Sequence, residues 1–511
     1  GFVKIRIKFD IKKNIFSSYI SQIYMTMANI VMVPFYVKHM GVEAYGLIGF
    51  FAMVQSWFQL LDMGLTPTMA RETALFVGGA TKASRLCRLL RILEWIFIGI
   101  AILGGVVVFV GSSWISAHWL KVHHLPLSEI RRSIQLMSGI IALRWVCGLY
   151  RAAITGFEHL MWLSLFNSIV TTARFFVVIP VFMLFGSGPI VFFSFQLLLA
   201  FLELLLLVIK TYSLLPSSDN DPSSALGWES VRALLRFSLG VAFVGSVWVV
   251  VTQVDKLILS KLITLGEYAY YTIAVLVASA ITILGGPISS ALQPRMTKLH
   301  AEGKHDDMFF VYRQATQLVG VMAGPSAVLL IFFPEKILWV WTVNPLLAQK
   351  ASLVLSLYAI GNLLLIFSAF PYYLQFAMGK LKFHIIGSIL FLIFLMPSIV
   401  WATRMWGSVG AGFTWLTANA LYLAFWVPFV HCKFAKKFHF GWIANDVFKV
   451  IMPPIVVGIV AQHLIIWPHG RFETFIVISS TGLIMFLAAI SGSSLAKASI
   501  IGIKNRLRFY L

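Results

Sequence analysis

Three arginines and one glutamate sit where a chain this apolar has little reason to place charge. Arg144 and Arg174 each fall near the middle of a long apolar run, and Glu203 falls near the middle of another. Arg151 follows Arg144 by seven residues, which is two helical turns, so the two share one face. A charged side chain at the centre of a bilayer costs about 2.5–3.5 kcal/mol on insertion scales, so such groups face protein or water rather than lipid. Guanidinium holds its charge and matches phosphate oxygens with paired hydrogen bonds. A ladder formed by Arg144, Arg151 and Arg174 therefore suits a diphosphate-bearing ligand in a cavity. A purely structural role is also open: Glu203 neutralises Arg144 or Arg174 and braces the helices, while Arg151 marks the basic end of its span.

Other groups offer weaker chemistry. Asp62 and Glu94 lie near the inner ends of their helices; Asp62 suits helix capping, pairing with a loop cation such as Arg71, or proton sensing. Asp255 lies in the outer part of its helix beside Lys256, where a charge pair or a cation site fits. Asp219-Asn220-Asp221 has the D-x-D spacing of metal-dependent sugar transferases, but it stands in a serine-rich stretch without a nucleotide-binding domain. No H-E-x-x-H, P-loop or Rossmann fingerprint is present. Cys87, Cys147 and Cys432 have no paired spacing, so neither a disulfide nor a metal site is expected. The chain reads as a non-enzyme without a metal.

Positioning these residues falls to membrane-spanning helices. The chain is 59% hydrophobic and 12% charged, against roughly 25% charged in soluble domains. Apolar runs of about 20 residues recur, long enough to cross a hydrocarbon core as helices. Fourteen spans are expected, at roughly 14–37, 44–66, 90–114, 131–153, 160–185, 189–211, 236–259, 267–291, 311–333, 351–376, 383–405, 409–431, 447–467 and 472–491. The net charge of +21 would suggest nucleic acid in a soluble chain; here the basic residues sit in short loops, so no nucleic-acid partner is expected. With the N-terminus inside, roughly 28 of the 40 basic residues collect on the cytoplasmic side. One such cluster is Lys82, Arg85, Arg88 and Arg91; another, Lys504, Arg506 and Arg508, puts the C-terminus inside as well. The basic N-terminus lacks a short apolar core with a small-residue cleavage site, so no signal peptide is expected. The stretches 67–89, 115–130 and 212–232 are the longest hydrophilic segments and read as loops.

The chain also repeats. Lys38 and Lys261, Tyr45 and Tyr268, and Gly156 and Gly379 share one offset of 223 positions. Six spans separate the members of each pair, so the halves have the same orientation, a parallel repeat about the membrane normal. The expected division is an N-lobe at 1–211, a cytoplasmic linker at 212–235, a C-lobe at 236–435, and two further spans with a basic tail at 436–511.

Several stretches carry a family resemblance. Gly41-Val42-Glu43-Ala44-Tyr45-Gly46-Leu47 with Leu60-Leu61-Asp62-Met63-Gly64-Leu65 resembles the opening of Wzx-type O-antigen flippases. Gly266-Glu267-Tyr268-Ala269-Tyr270-Tyr271, Leu292-Gln293-Pro294-Arg295-Met296 and Asp255-Lys256-Leu257-Ile258-Leu259 resemble the second-half counterparts. These flippases belong to the multidrug/oligosaccharidyl-lipid/polysaccharide exporter superfamily, and the resemblance runs from about residue 14 to about 440. It implies an all-α polytopic membrane protein with two six-helix lobes around a central cavity, plus two C-terminal helices. The implied function is to move undecaprenyl-pyrophosphate-linked O-antigen repeat units from the cytoplasmic to the periplasmic leaflet of a bacterial inner membrane, by alternating access coupled to an ion gradient. Implied partners are the bilayer, the lipid-linked oligosaccharide, an O-antigen polymerase and a chain-length regulator. The only implied cofactor is a coupling cation, sodium or proton. In lipid II relatives a carboxylate on the seventh helix helps hold sodium; here Asp255 occupies that helix and Asp62 is a second acid. The eleventh span offers no acid, so Thr417 and Asn419 on the twelfth would supply oxygens. Alternatives are a small-molecule antiporter or lipid II flippase of the same superfamily, or a sugar-transferring membrane enzyme, for which His123 and His124 form the one outer-loop histidine pair.

Overall fold

The computed structural model describes residues 2–62, 64–215 and 228–494. Met63, the Asp219-Asn220-Asp221 stretch and the Lys504, Arg506 and Arg508 cluster lie outside the described residues. The described chain is helical throughout. The helices are α1 (Phe2–Met40), α2 (Val42–Phe58), α3 (Leu65–Val77), α4 (Ala83–Trp114), α5 (Leu127–Gly156), α6 (Leu160–Phe176) and α7 (Val178–Phe185). They continue as α8 (Pro189–Leu214), α9 (Trp228–Leu262), α10 (Leu265–Ala301), α11 (His305–Phe332), α12 (Pro334–Thr342), α13 (Pro345–Ser368) and α14 (Phe370–Ala377). The last are α15 (Lys382–Leu421), α16 (Val427–Phe434), α17 (Phe438–Trp442), α18 (Lys449–Leu464) and α19 (Arg471–Gly492).

Among the described residues, 12 stretches are long and apolar enough to cross a membrane. One of them, Lys382–Phe434, holds two expected spans, and α9 covers the expected span at 236–259. The apolar surface agrees. On α4 the residues Leu86, Leu90, Leu93, Phe97 and Ala101 are buried at helical spacing, while Trp95, Leu103, Val107 and Val110 are more than half exposed. In water such a face would be costly; in lipid it is solvated.

The chain divides into two compact units, Gly1–Ala269 and Tyr270–Leu511. In the first, α5 is the central element, packed by α3, α4 and α8. Its buried residues Ile130, Ile134, Met137, Ile140 and Ile141 follow the helical period. The α1 helix lies along α6, with Ser21 Oγ donating to Ser164 O at 2.9 Å and Tyr24 bonded to Thr172 at 2.6 Å. The α9 helix packs against α2 and α3.

Two local departures from the expected spans have clear causes. The second span was expected to continue to residue 66. Instead α2 gives way to a 3-10 turn at Gln59–Asp62, and Gly64, at φ 72°, precedes the first turn of α3. The stretch 67–89, read as a hydrophilic loop, therefore contains a helix: α3 buries Leu65, Met69 and Thr73 and leaves Arg71 exposed. The repeat residue Gly156 has its reason here. A Cβ on it would lie 2.5 Å from both Ala70 O and Thr73 Cβ, so only glycine lets the end of α5 meet α3.

In the second unit α11 and α13 form the core, with α12 and α15 on α13 and with α18 and α19 on α11. The backbone of α15 reverses at Trp406 and Gly407, where Gly407 adopts φ 59°, which separates the expected spans 383–405 and 409–431. The returning helix comes so close that a Cβ on Gly410 would lie 2.0 Å from Ala402 O.

Candidate functional site

Helices α5, α6 and α8 bring the four singled-out charges of the first unit together. Arg151 on α5 donates through Nη2 to Glu203 Oε1 on α8 and through Nη1 to Asn167 Oδ1 on α6. Arg174 on α6 donates through Nη2 to Glu203 Oε2 at 3.0 Å. One buried carboxylate thus holds two guanidiniums, one on each oxygen. Arg144 takes a different partner: its Nη2 donates to Gln196 Oε1 on α8 at 2.7 Å. Gln196 in turn donates through Nε2 to the Arg174 backbone carbonyl at 3.2 Å, so the cluster is continuous. The Arg144 guanidinium also stands 5.6 Å over the Phe51 ring, and that of Arg151 stands 5.8 Å over Phe166. Three fixed positive charges against one negative leave this cluster with an excess of positive charge.

Arg151 and Arg174 keep about a quarter of their side-chain surface exposed, at 28% and 25%, and Arg144 opens onto a cavity. Arg144 lines a cavity of about 420 Å³ together with Gln55, Gln59, Asp62, Trp145 and Ser246. Its Nε is buried and has no hydrogen-bond partner among the described residues. Trp145, one residue on, stacks on Phe97 at 4.3 Å and forms part of the wall. Arg151 and Arg174 do not line this cavity and are committed to Glu203. Asp62 lies at its edge, where its carboxylate accepts from Thr66 N at 3.1 Å and from the Thr66 hydroxyl, fixing the first turn of α3. Arg71 pairs with Glu72 at 3.0 Å instead of with Asp62.

The residues singled out for ion coupling are placed less favourably. Asp255 is buried at 2% exposure; its Oδ1 accepts from Lys256 N at 2.8 Å and lies 3.5 Å from Lys256 Nζ. Lys256 Nζ also donates to Thr252 O at 2.5 Å. In the second unit Thr417 is exposed, whereas Asn419 is buried and donates to Trp415 O at 2.9 Å on its own helix. No cluster of three or more metal-ligating side chains occurs among the described residues.

Several functional-looking groups escaped the sequence reading. Gln196 and Asn167 are neutral, so a search for charge passes over them. Glu43 is buried and accepts from three successive backbone N–H groups: His123 at 2.7 Å, His124 at 2.8 Å and Leu125 at 2.8 Å. The histidine pair of that loop thus supplies its backbone to the Glu43 clasp. The same loop reaches the α9–α10 turn, where Leu265 N donates to Lys121 O at 2.8 Å and Lys121 Nζ donates to Leu262 O at 2.8 Å. In the second unit Asp446 accepts from Arg313 Nε and Gln317 Nε2, both at 2.6 Å. Beside it His431 bonds Tyr312 at 2.7 Å and His439 at 2.9 Å. This hub fastens α11 to the segment 431–446; its two halves lie more than a hundred residues apart, which no short motif reveals.

No curated protein sequence matches this chain. Among solved structures, the lipid II flippase MurJ in an inward closed conformation superposes with TM-score 0.70 at 15% identity, covering 95% of this chain and 99% of that one. An inward-facing multidrug resistance MATE family transporter of the MOP superfamily gives 0.66 at 13% identity, over 80% and 94%. A MOP superfamily transporter from Pyrococcus furiosus gives 0.54 at 12% identity, over 83% and 96%. At these identities the likeness shows a shared fold, and the fold is that of membrane transporters and flippases. The sequence profile described as polysaccharide biosynthesis protein matches residues 11–300, more than half of the chain, and the chain belongs to that family.

Proposed function

We propose that this protein flips undecaprenyl-pyrophosphate-linked O-antigen repeat units from the cytoplasmic to the periplasmic leaflet of a bacterial inner membrane by alternating access. The observation that carries the proposal is Arg144, a cation deep in an apolar helix bundle that lines a cavity and has no carboxylate partner of its own. A pyrophosphate headgroup supplies the anion that this excess of positive charge lacks. Gln55, Gln59 and Ser246 line the same space with groups that bond hydroxyls, and Trp145 offers an apolar wall to a sugar ring. Arg151 and Arg174, held by Glu203, add positive potential behind Arg144 and set its neighbourhood. Membership of the polysaccharide biosynthesis protein family supports a lipid-linked glycan over a drug.

The test is deletion in a Gram-negative host that makes O-antigen, followed by complementation. Loss of surface polymer with lipid-linked repeat units accumulating on the inner leaflet is the expected result. Normal polymer with altered drug sensitivity would point to an antiporter instead. For coupling we carry Asp255 as the candidate, because a carboxylate buried in this helix is costly. Asp255→Asn should abolish ion-dependent transport and leave substrate binding intact; wild-type transport in that variant would leave only the pair with Lys256.

A further inference from the structure

A second cavity lies on the opposite side of α5. It measures about 460 Å³ and is enclosed by α4, α5 and α8, with Ile98, Ile102, Gly105, Ala142, Val146 and Leu204 among its walls. Two wall residues bear hydroxyls, and both are used: Ser138 donates to Gln135 O at 2.6 Å, and Tyr150 donates to Glu94 Oε1 at 2.8 Å. The wall residues Ile102, Val106 and Phe109 are at least half exposed, so the cavity is a trough open along the lipid-facing surface.

This trough is separate from the Arg144 cavity. On α5 the residues Ile141, Arg144, Trp145 and Gly148 face one, while Ala142, Leu143, Val146 and Tyr150 face the other. The helix is the partition, so an apolar chain in the trough cannot belong to a headgroup beside Arg144. Tyr150 connects the trough to a charged mouth. Glu94 accepts from Tyr150 and from Tyr212, whose hydroxyl lies 2.9 and 3.0 Å from its two oxygens. A carboxylate accepts about four hydrogen bonds, so capacity remains on Oε2. Arg91 is exposed and stands one turn before Glu94 and two turns before Ile98, on the trough face of α4.

A guanidinium and a carboxylate one turn apart, at the end of an apolar trough, match a zwitterion with a tail. We propose that α4, α5 and α8 form a resident site for one aminophospholipid of the ethanolamine type. Its phosphate sits at Arg91, its ammonium donates to Glu94, and one acyl chain fills the trough. A choline head has no N–H to give Glu94, and a glycerol head, which bears the same phosphate, offers that carboxylate neutral hydroxyls in place of a cation. The bound lipid braces α5, which carries Arg144 on its other face.

The test uses the delipidated full chain, titrated with phosphatidylethanolamine, phosphatidylcholine or phosphatidylglycerol of identical acyl chains. Retained lipid is read by native mass spectrometry and stabilisation by Tm. One ethanolamine lipid should be retained with roughly tenfold preference or more, the worth of one charge-assisted hydrogen bond. Glu94→Gln should erase the preference over choline while keeping an acceptor for the tyrosines. Ile102→Trp, at an exposed trough position, should lower retention of all three lipids. Equal retention of the three by the wild type, a preference for phosphatidylglycerol, or an unchanged preference in Glu94→Gln would overturn the proposal. None of these readouts involves a transported substrate, so they stand or fall apart from the flippase reading.

Discussion

At the residue scale, charge in an apolar helix is the most legible signal in this sequence. Arg144, Arg151, Arg174 and Glu203 stand out because each must find a partner or water, and the structure gathers all four. Which arginine takes the carboxylate was not legible, since that depends on helix rotation and side-chain reach across three helices. Pairing of Glu203 with Arg144 was one expected arrangement; Glu203 takes Arg151 and Arg174, and Arg144 takes Gln196. The two roles predict different phenotypes. Arg144→Ala should cut surface polymer strongly at normal expression, since a lost charge-assisted contact of about 1.5–3 kcal/mol is roughly a 10–100-fold weaker hold. Arg144→Lys should recover part of it, keeping the charge without the fork. Glu203→Ala should instead act on stability, by a few kcal/mol, about 3 at most, because it leaves two half-buried guanidiniums without their anion. A fall in detergent Tm and in membrane yield checks that, and adding Arg174→Ala should restore part of the loss.

At the scale of elements, span positions were readable because a bilayer dictates helix length, and the expected spans fall on helical stretches, the second with its last turn given over to α3. The helix α3 was not readable as such. Its thirteen residues, with Arg71-Glu72-Thr73 at their middle, are too few and too polar to cross a bilayer, and only its packing on α5 shows its register. The reversal at Trp406 and Gly407 was legible as a gap between two spans, but not the closeness of the return. That closeness gives a direct test. Gly410→Ala should lower Tm markedly, because the added carbon meets a backbone carbonyl that cannot step aside. Gly99→Ala on α4, where nothing lies within 4 Å, should be neutral or raise Tm by the helix propensity of alanine, about 1 kcal/mol at most.

For the whole molecule, the 223-residue offset and the basic-residue asymmetry together predict topology. Single cysteines placed in the loops at Gly156 and Gly379 should be labelled from the same side, the cytoplasmic one, as should cysteines at both termini. Labelling of the two loops from opposite sides would refute the parallel repeat. Within the offset the two glycines are needed for different reasons: Gly156 lets α5 meet α3, whereas Gly379 adopts φ 67° in open space. The polar hub of the second unit was invisible because Arg313 and Asp446 are separated by 133 positions, and the sequence between them is ordinary membrane helix.

The Glu43 clasp sets an order of assembly. Its carboxylate waits for donors 80 to 82 residues further along the chain, so it stays unsatisfied until α5 begins to emerge during synthesis. Closing a loop of that length costs chain entropy that grows only slowly with size, and three charge-assisted bonds made at once offset it. The second tie, from Lys121 to the α9–α10 turn, spans 141 residues and must form later. A nascent chain stalled before α9 should therefore carry a closed Glu43 clasp and a dangling Lys121.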